Sequence, residues 1–185
     1  MILLVASAPT HLSLIVGPLA RMYGWPVVRS HALCASRTGE ELGPCLRHYS
    51  WPALRFWDRR AWLRAACRRA LRVHQPDAVI VTSARYHLEQ AFLEVAPEYN
   101  VKRIVYFSTA FMEASFKDGQ RDHGPRMQFY DVGDELWTIG DHLRDQLIEH
   151  GVNPARIRVM GSPASLEMYY RERAYMAVEA LCSLV

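Results

Sequence analysis

The chain has 185 residues, half of them hydrophobic and 22% charged, with a formal net charge of +3. That length buries one substantial core and leaves two full domains cramped. The charge is too small to call for nucleic acid, and the dominance of Arg over Lys reflects base composition as readily as binding, so no nucleic-acid partner is expected.

Met1 to Gly24 reads as a buried strand, a polar turn and an apolar helix. Ile2, Leu3, Leu4 and Val5 form a continuous aliphatic run, which a strand covered on both faces requires. Ser7-Ala8-Pro9-Thr10-His11 break the run, and Leu12 to Met22 resume it. A short second strand is predicted over Trp25 to Val28 and a loop over Arg29 to Ser36. Gly39, Gly43, Pro44 and Pro52 punctuate the next stretch, where a short helix over Glu40 to His48 and an irregular strand near Tyr49 are expected. From Asp58, a candidate cap, to His74 the pattern is helical. Trp62, Leu63, Ala66, Ala70 and Leu71 share an apolar face, and Arg60, Arg64, Arg68 and Arg72 recur every four residues on another. That basic stripe is a solvated helix face or a contact for an anionic membrane surface or a partner.

Ala78 to Val81 forms another buried strand, ending in Thr82-Ser83 before a helix from Arg85 to about Ala96. Val101 to Phe107 repeats the device and ends in Ser108-Thr109. Small hydroxyl residues there either cap the following helix or line a rim shared with His11. The polar, aromatic stretch from Ala110 to Val132 is long enough to be a lid or a disordered segment. A strand over Glu135 to Ile139, a helix from Asp141 to His150 stopped by Gly151, and a strand over Arg156 to Met160 follow, closing at Gly161-Ser162-Pro163. The last helix, from about Ala164 to Leu184, offers Leu166, Tyr169, Met176, Ala177, Ala180 and Leu181 for burial.

This alternation of strand and helix predicts an α/β fold: a doubly wound, mostly parallel, Rossmann-like sheet of six or so strands, with helices on both faces. Residues 1–163 form the domain, and 164–185 a C-terminal helix that packs on it or leads to a second domain. In such sheets ligands gather at the carboxyl ends of the strands, which makes His11 the first candidate for chemistry. Cys34, Cys45, Cys67 and Cys182 are widely spaced and lack C-x-x-C clustering, so reduced structural thiols and no metal site are expected. The N-terminus has no positively charged region before its apolar run, and Pro9, Thr10, His11, Pro18 and Arg21 divide the best apolar stretch. A cytoplasmic protein, at most peripheral to the inner face of a membrane, is the expectation.

Several motifs resemble one family. Glu135-Leu136-Trp137-Thr138-Ile139-Gly140 with its helix, Gly151-Val152-Asn153-Pro154-Ala155-Arg156-Ile157 and Val159-Met160-Gly161-Ser162-Pro163 look like the end of the N-terminal domain of GT-B glycosyltransferases. Pro76 to Ser83 and Leu88-Glu89 are similar to the matching strand and helix of surface-polysaccharide and glycerophosphate-polymer transferases and UDP-sugar 2-epimerases. His11, with Pro18-Leu19-Ala20 after it, resembles the Gly-His-x-x-Pro region of many GT-B enzymes, although Pro9-Thr10 stand where glycines are usual.

The resemblance implies the acceptor-side half of a glycosyltransferase acting in glycan or surface-polymer synthesis, with His11 as the base that deprotonates an acceptor hydroxyl. Ser83, Ser108, Thr109, Gly161 and Ser162 would bind substrate along the cleft. No cofactor is implied; a nucleotide-sugar donor would be a substrate, bound largely by a further domain or partner protein, with a glycan or polyol as acceptor. For His11 the other reading is a turn histidine that hydrogen-bonds backbone, since Thr82, Ser83 and Ala84 supply no carboxylate at the end of their strand. Two alternatives stand beside the enzyme: a non-catalytic binding subunit or truncated copy, and a UDP-sugar 2-epimerase-like fragment using acidic residues such as Glu113 and Asp118.

Overall fold

The computed structural model describes residues 1–49, 59–82, 86–107 and 132–182, with side chains described to Arg173 in the last stretch. Six parallel strands form one sheet: β1 (Ile2–Ala6), β2 (Val27–Arg29), β3 (Ala78–Val81), β4 (Lys102–Tyr106), β5 (Glu135–Thr138) and β6 (Ile157–Val159). Their spatial order is β2-β1-β3-β4-β5-β6, and every pairing is parallel. Leu3, Leu4, Val5 and Ala6 are wholly buried, as is most of β3, which accounts for their unbroken aliphatic runs.

The helices divide between the two faces. α1 (Pro9–His11), a five-residue π segment (Leu12–Val16) and α2 (Gly17–Tyr23) form one continuous helical stretch after β1. It covers the face bearing Leu4, Ala6, Val27, Ile80 and Ile104. The widened turn has a local cause. Pro18 has no N–H to donate to Leu14, and the Gly17 N–H bonds instead to the Leu12 carbonyl, five residues back. Gly24, at φ +66°, ends the stretch.

On the other face, α4 (Arg59–His74) and α5 (His87–Val95) pack over Leu3, Val5, Val79, Val81 and Val105. α6 (Asp141–Glu149) joins the same core through Leu143 and Leu147. α7 (Pro163–Cys182) leaves β6 and returns toward α2, where Arg21 makes a bidentate ion pair with Glu167 at 2.5 and 2.8 Å.

The basic stripe of α4 is engaged within the fold. Arg60 and Arg64 both reach Glu94, Arg68 makes a bidentate pair with Glu98, and Arg72 donates to the Tyr99 hydroxyl. These contacts join α4 to α5 and to the 3-10 turn at Ala96–Tyr99.

Four expectations are corrected. The stretch after β2 is not a loop: Ser30 caps α3 (His31–Ala35), accepting the Leu33 N–H. Residues 40–49 hold two 3-10 turns, Glu40–Leu42 and Leu46–Tyr49, in place of a helix and a strand. Cys34 and Cys45 form a disulfide with a Cα separation of 5.7 Å, whereas Cys67 is a buried free thiol. On α7, Leu166 and Tyr169 are exposed instead of buried; the side chain that ties this helix to α2 is Glu167, through Arg21. The predicted lid over 110–132 lies almost wholly outside the described residues.

Candidate functional site

The sheet is built outward from β1 in two directions, with β2 on one side and β3 on the other. Adjacent strands whose connections depart to opposite sides leave a crevice at their carboxyl ends. Three buried polar side chains meet there. His11 follows β1, Thr82 follows β3, and Glu89 comes from α5, the helix after β3; these residues are 3%, 3% and 0% exposed.

The three side chains form one hydrogen-bonded line. Thr82 Oγ1 donates to Glu89 Oε1 at 2.8 Å and is hydrogen-bonded to His11 Nδ1, while Nδ1 lies 3.7 Å from the same carboxylate oxygen. Proton counting assigns the tautomer. A hydroxyl has one hydrogen, and an ionised carboxylate only accepts, so Thr82 gives its proton to Glu89 and accepts from His11 Nδ1–H. In the neutral imidazole the lone pair then belongs to Nε2. Glu89 lies in the first turn of α5, where unpaired backbone N–H groups favour a negative charge. The Tyr86 ring meets the imidazole edge to face, with centroids 5.6 Å apart.

Glu89 corrects the expectation that His11 lacks a carboxylate. The carboxylate comes from the following helix and reaches the histidine through Thr82. A signal was present: Glu89 is three, four and seven residues before Phe92, Leu93 and Ala96, all buried, so a helix here puts a carboxylate on its apolar face.

Of the other predicted site residues, Ser83, Ser108 and Thr109 lie outside the described residues. Gly161 and Ser162 follow β6, three strand spacings from β3, about 14 Å across the sheet. There they make local contacts. The Gly161 carbonyl accepts from the Tyr106 hydroxyl at 2.5 Å, and Ser162 Oγ accepts the Ser165 N–H at the start of α7. Ser7, next to β1, has a buried hydroxyl with no hydrogen-bond partner among the described residues. A groove of about 280 Å³ between α4 and α5, lined by Arg59, Leu63, His87, Gln90 and Glu94, uses a different face of α5 from Glu89. Among the described residues no cluster of His, Cys, Asp and Glu is placed to hold a metal ion, and no helix is long and apolar enough to cross a membrane.

Solved structures share this architecture. The UDP-GlcNAc 2-epimerase of Neisseria meningitidis bound to UDP-GlcNAc aligns with a TM-score of 0.62 at 11% identity, over 96% of this chain and 51% of its own. The UDP-GlcNAc 2-epimerase of Methanocaldococcus jannaschii gives 0.61 at 14% identity, over 90% and 48%. Arabidopsis thaliana UGT89C1 complexed with UDP-L-rhamnose gives 0.50 at 15% identity, over 86% and 48%. The chain thus spans about half the length of these proteins. No family model and no curated protein sequence matches it. Its fold is the Rossmann-like α/β fold of a GT-B half-domain, which these UDP-sugar proteins share over about half their length.

Proposed function

We propose that the chain is the acceptor-side half of a GT-B glycosyltransferase-like protein, working with a donor-binding domain or partner protein in glycan or surface-polymer synthesis. The observation that carries this reading is the buried Glu89–Thr82–His11 line at the switch point of the sheet. A sugar or polyol hydroxyl is a poor nucleophile until a base takes its proton as it attacks. His11 Nε2 would accept that proton while the acceptor oxygen bonds to the anomeric carbon and the bond to the leaving nucleoside diphosphate breaks. The imidazolium so formed is held by Thr82 and Glu89, which fix the ring's tautomer and orientation.

In this reading the donor is bound largely by the further domain or partner, and the protein works in the cytoplasm. With Arg60, Arg64 and Arg68 paired to Glu94 and Glu98, the α4 stripe has less charge to offer an anionic membrane than its sequence suggests. A UDP-sugar 2-epimerase-like fragment is the second reading, favoured by the epimerases among the structural neighbours. Its candidate acids, Glu113 and Asp118, lie outside the described residues.

The test is to purify the chain with and without a candidate donor-binding partner and to follow consumption of a UDP-sugar. By itself the chain should neither transfer nor hydrolyse the sugar, and robust turnover by the chain alone would overturn the reading. With the partner, His11→Ala should lower transfer by roughly two to four orders of magnitude. Transfer that His11→Ala leaves intact would remove His11 from the mechanism, and interconversion of the free UDP-sugar with its 2-epimer would favour the second reading.

A further inference from the structure

The segment between Cys34 and Cys45 is fastened to the helical turn that bears His11. Gly39, in the left-handed region at φ +69°, lies so close to Leu12 that a Cβ there would collide with Leu12 Cδ2. Leu42 lies against Gly17, its Cδ1 3.3 Å from where a Gly17 Cβ would stand. These contacts grip both ends of the π segment that follows His11. The same stretch is held from below by Arg29, a 4% exposed residue at the end of β2. Its Nε donates to the Gly43 carbonyl at 2.7 Å and its Nη1 to the Thr38 carbonyl at 2.9 Å. Cys45 pairs with Arg29 as an isolated parallel bridge, and the disulfide closes the stretch at both ends.

We infer that the Cys34–Cys45 disulfide is a redox latch on the segment carrying His11. Its bearing on activity rests on His11 acting as a base; its effect on the segment does not. In the cytoplasmic location proposed above, on which the redox role rests, an oxidised cysteine pair typically serves a transient or redox-sensing role. Cys34 is half-buried and Cys45 is 1% exposed, so a small dithiol meets the Cys34 side of the bond first. One dithiol supplies two electrons and two protons: the S–S bond breaks, two cysteine thiols form, and the dithiol leaves as its cyclic disulfide. Residues 35–44 then lose their covalent closure, and Gly39 and Leu42 can withdraw from Leu12 and Gly17. The π turn loses its outer support, and with it the fixed approach of His11 to Thr82.

Hydrogen exchange on the full chain, read by mass spectrometry with and without dithiothreitol, tests the latch. Reduction should raise exchange at least tenfold in both 36–43 and 9–17 while β3 and β4 keep their protection, and reoxidation should reverse it. Cys34→Ser, or reduced wild-type chain capped with iodoacetamide, should show the fast pattern in either buffer. Unchanged exchange in 9–17 on reduction would overturn the proposal, as would loss of protection in β3 and β4, which would mark a plain structural cross-link. Alkylation of both cysteines in the unreduced protein would overturn it as well. None of these readouts involves turnover, so failure of the latch and failure of the proposed transferase role are separable.

Discussion

Thr82 is the residue on which the buried polar line depends, because its one oxygen serves both neighbours. A threonine at the end of a strand is ordinarily a helix cap, yet here it is 3% exposed and points at two other buried polar groups. Val has nearly the same shape and no hydroxyl. Thr82→Val therefore keeps the packing and leaves Glu89 Oε1 and His11 Nδ1 without their shared partner. Removing one member of a buried hydrogen-bonded set costs about 1–3 kcal/mol, chiefly as the desolvation of what is left unpaired. We expect Thr82→Val to lower unfolding stability in urea by that amount. Adding Glu89→Gln should recover part of the loss, since a neutral amide tolerates the loss of one buried hydrogen bond better than a carboxylate does. Additive losses in the double variant would mean that Thr82 and Glu89 are not coupled as the geometry requires.

His11 could be picked from the sequence because it lies in the turn after the unmistakable aliphatic run of β1, whereas after β3 the sequence pointed to Ser83 and not to its neighbour Thr82, which makes the contact. Glu89 could not be picked, because a carboxylate on a helix invites a solvent-facing reading until the helix is known to pack on the sheet.

At the scale of elements, the same contrast separates regular from irregular segments. β1, β3, β4 and β5 could be read from composition because both their faces are buried, and α4 from its period. Residues 30–49 could not. Their 3-10 turns, the short helix α3 and the Arg29 contacts are fixed by tertiary partners that no local period announces. One of these partners is on α4. The Tyr49 hydroxyl lies 2.7 Å from His74 Nε2, tying the end of the second 3-10 turn to the last turn of α4. Burial pushes the His74 imidazole below its ordinary value of 6.5, because the charged form is the one penalised.

The sign follows directly. Below that ordinary value the unfolded chain takes up a proton that the folded chain resists, so this contribution is present at neutral pH and declines as the pH falls. His74→Gln removes the titration. The stability difference between wild type and His74→Gln, measured by urea unfolding, should therefore narrow between about pH 8 and about pH 5. A gap that widens toward acid would reverse the assignment.

For the molecule as a whole, strand order decides which parts can open separately. β1 and β3 lie side by side inside the sheet, with β2 outside β1 and β4, β5 and β6 outside β3. Every residue of β3 is buried and all but the first of β1, whereas β6 is a three-residue edge strand with two exposed residues. Opening β6 breaks its ladder to β5 and the local contacts of Gly161 and Ser162, and leaves both core faces around β1 intact. Opening β1 or β3 breaks two ladders each and uncovers both faces, which amounts to unfolding the domain.

Native-state hydrogen exchange should therefore show amides of β1 and β3 exchanging at the free energy of global unfolding. Those of β6 should exchange through a smaller local opening, with a weaker dependence on denaturant. The site follows this hierarchy: His11 and Thr82 hang from the two strands that open last, so their geometry should survive any fluctuation at the β6 edge. If β1 amides instead exchanged as readily as those of β6, the most stable part of the fold would lie elsewhere, and the fixed geometry required of a base at His11 would lose its support.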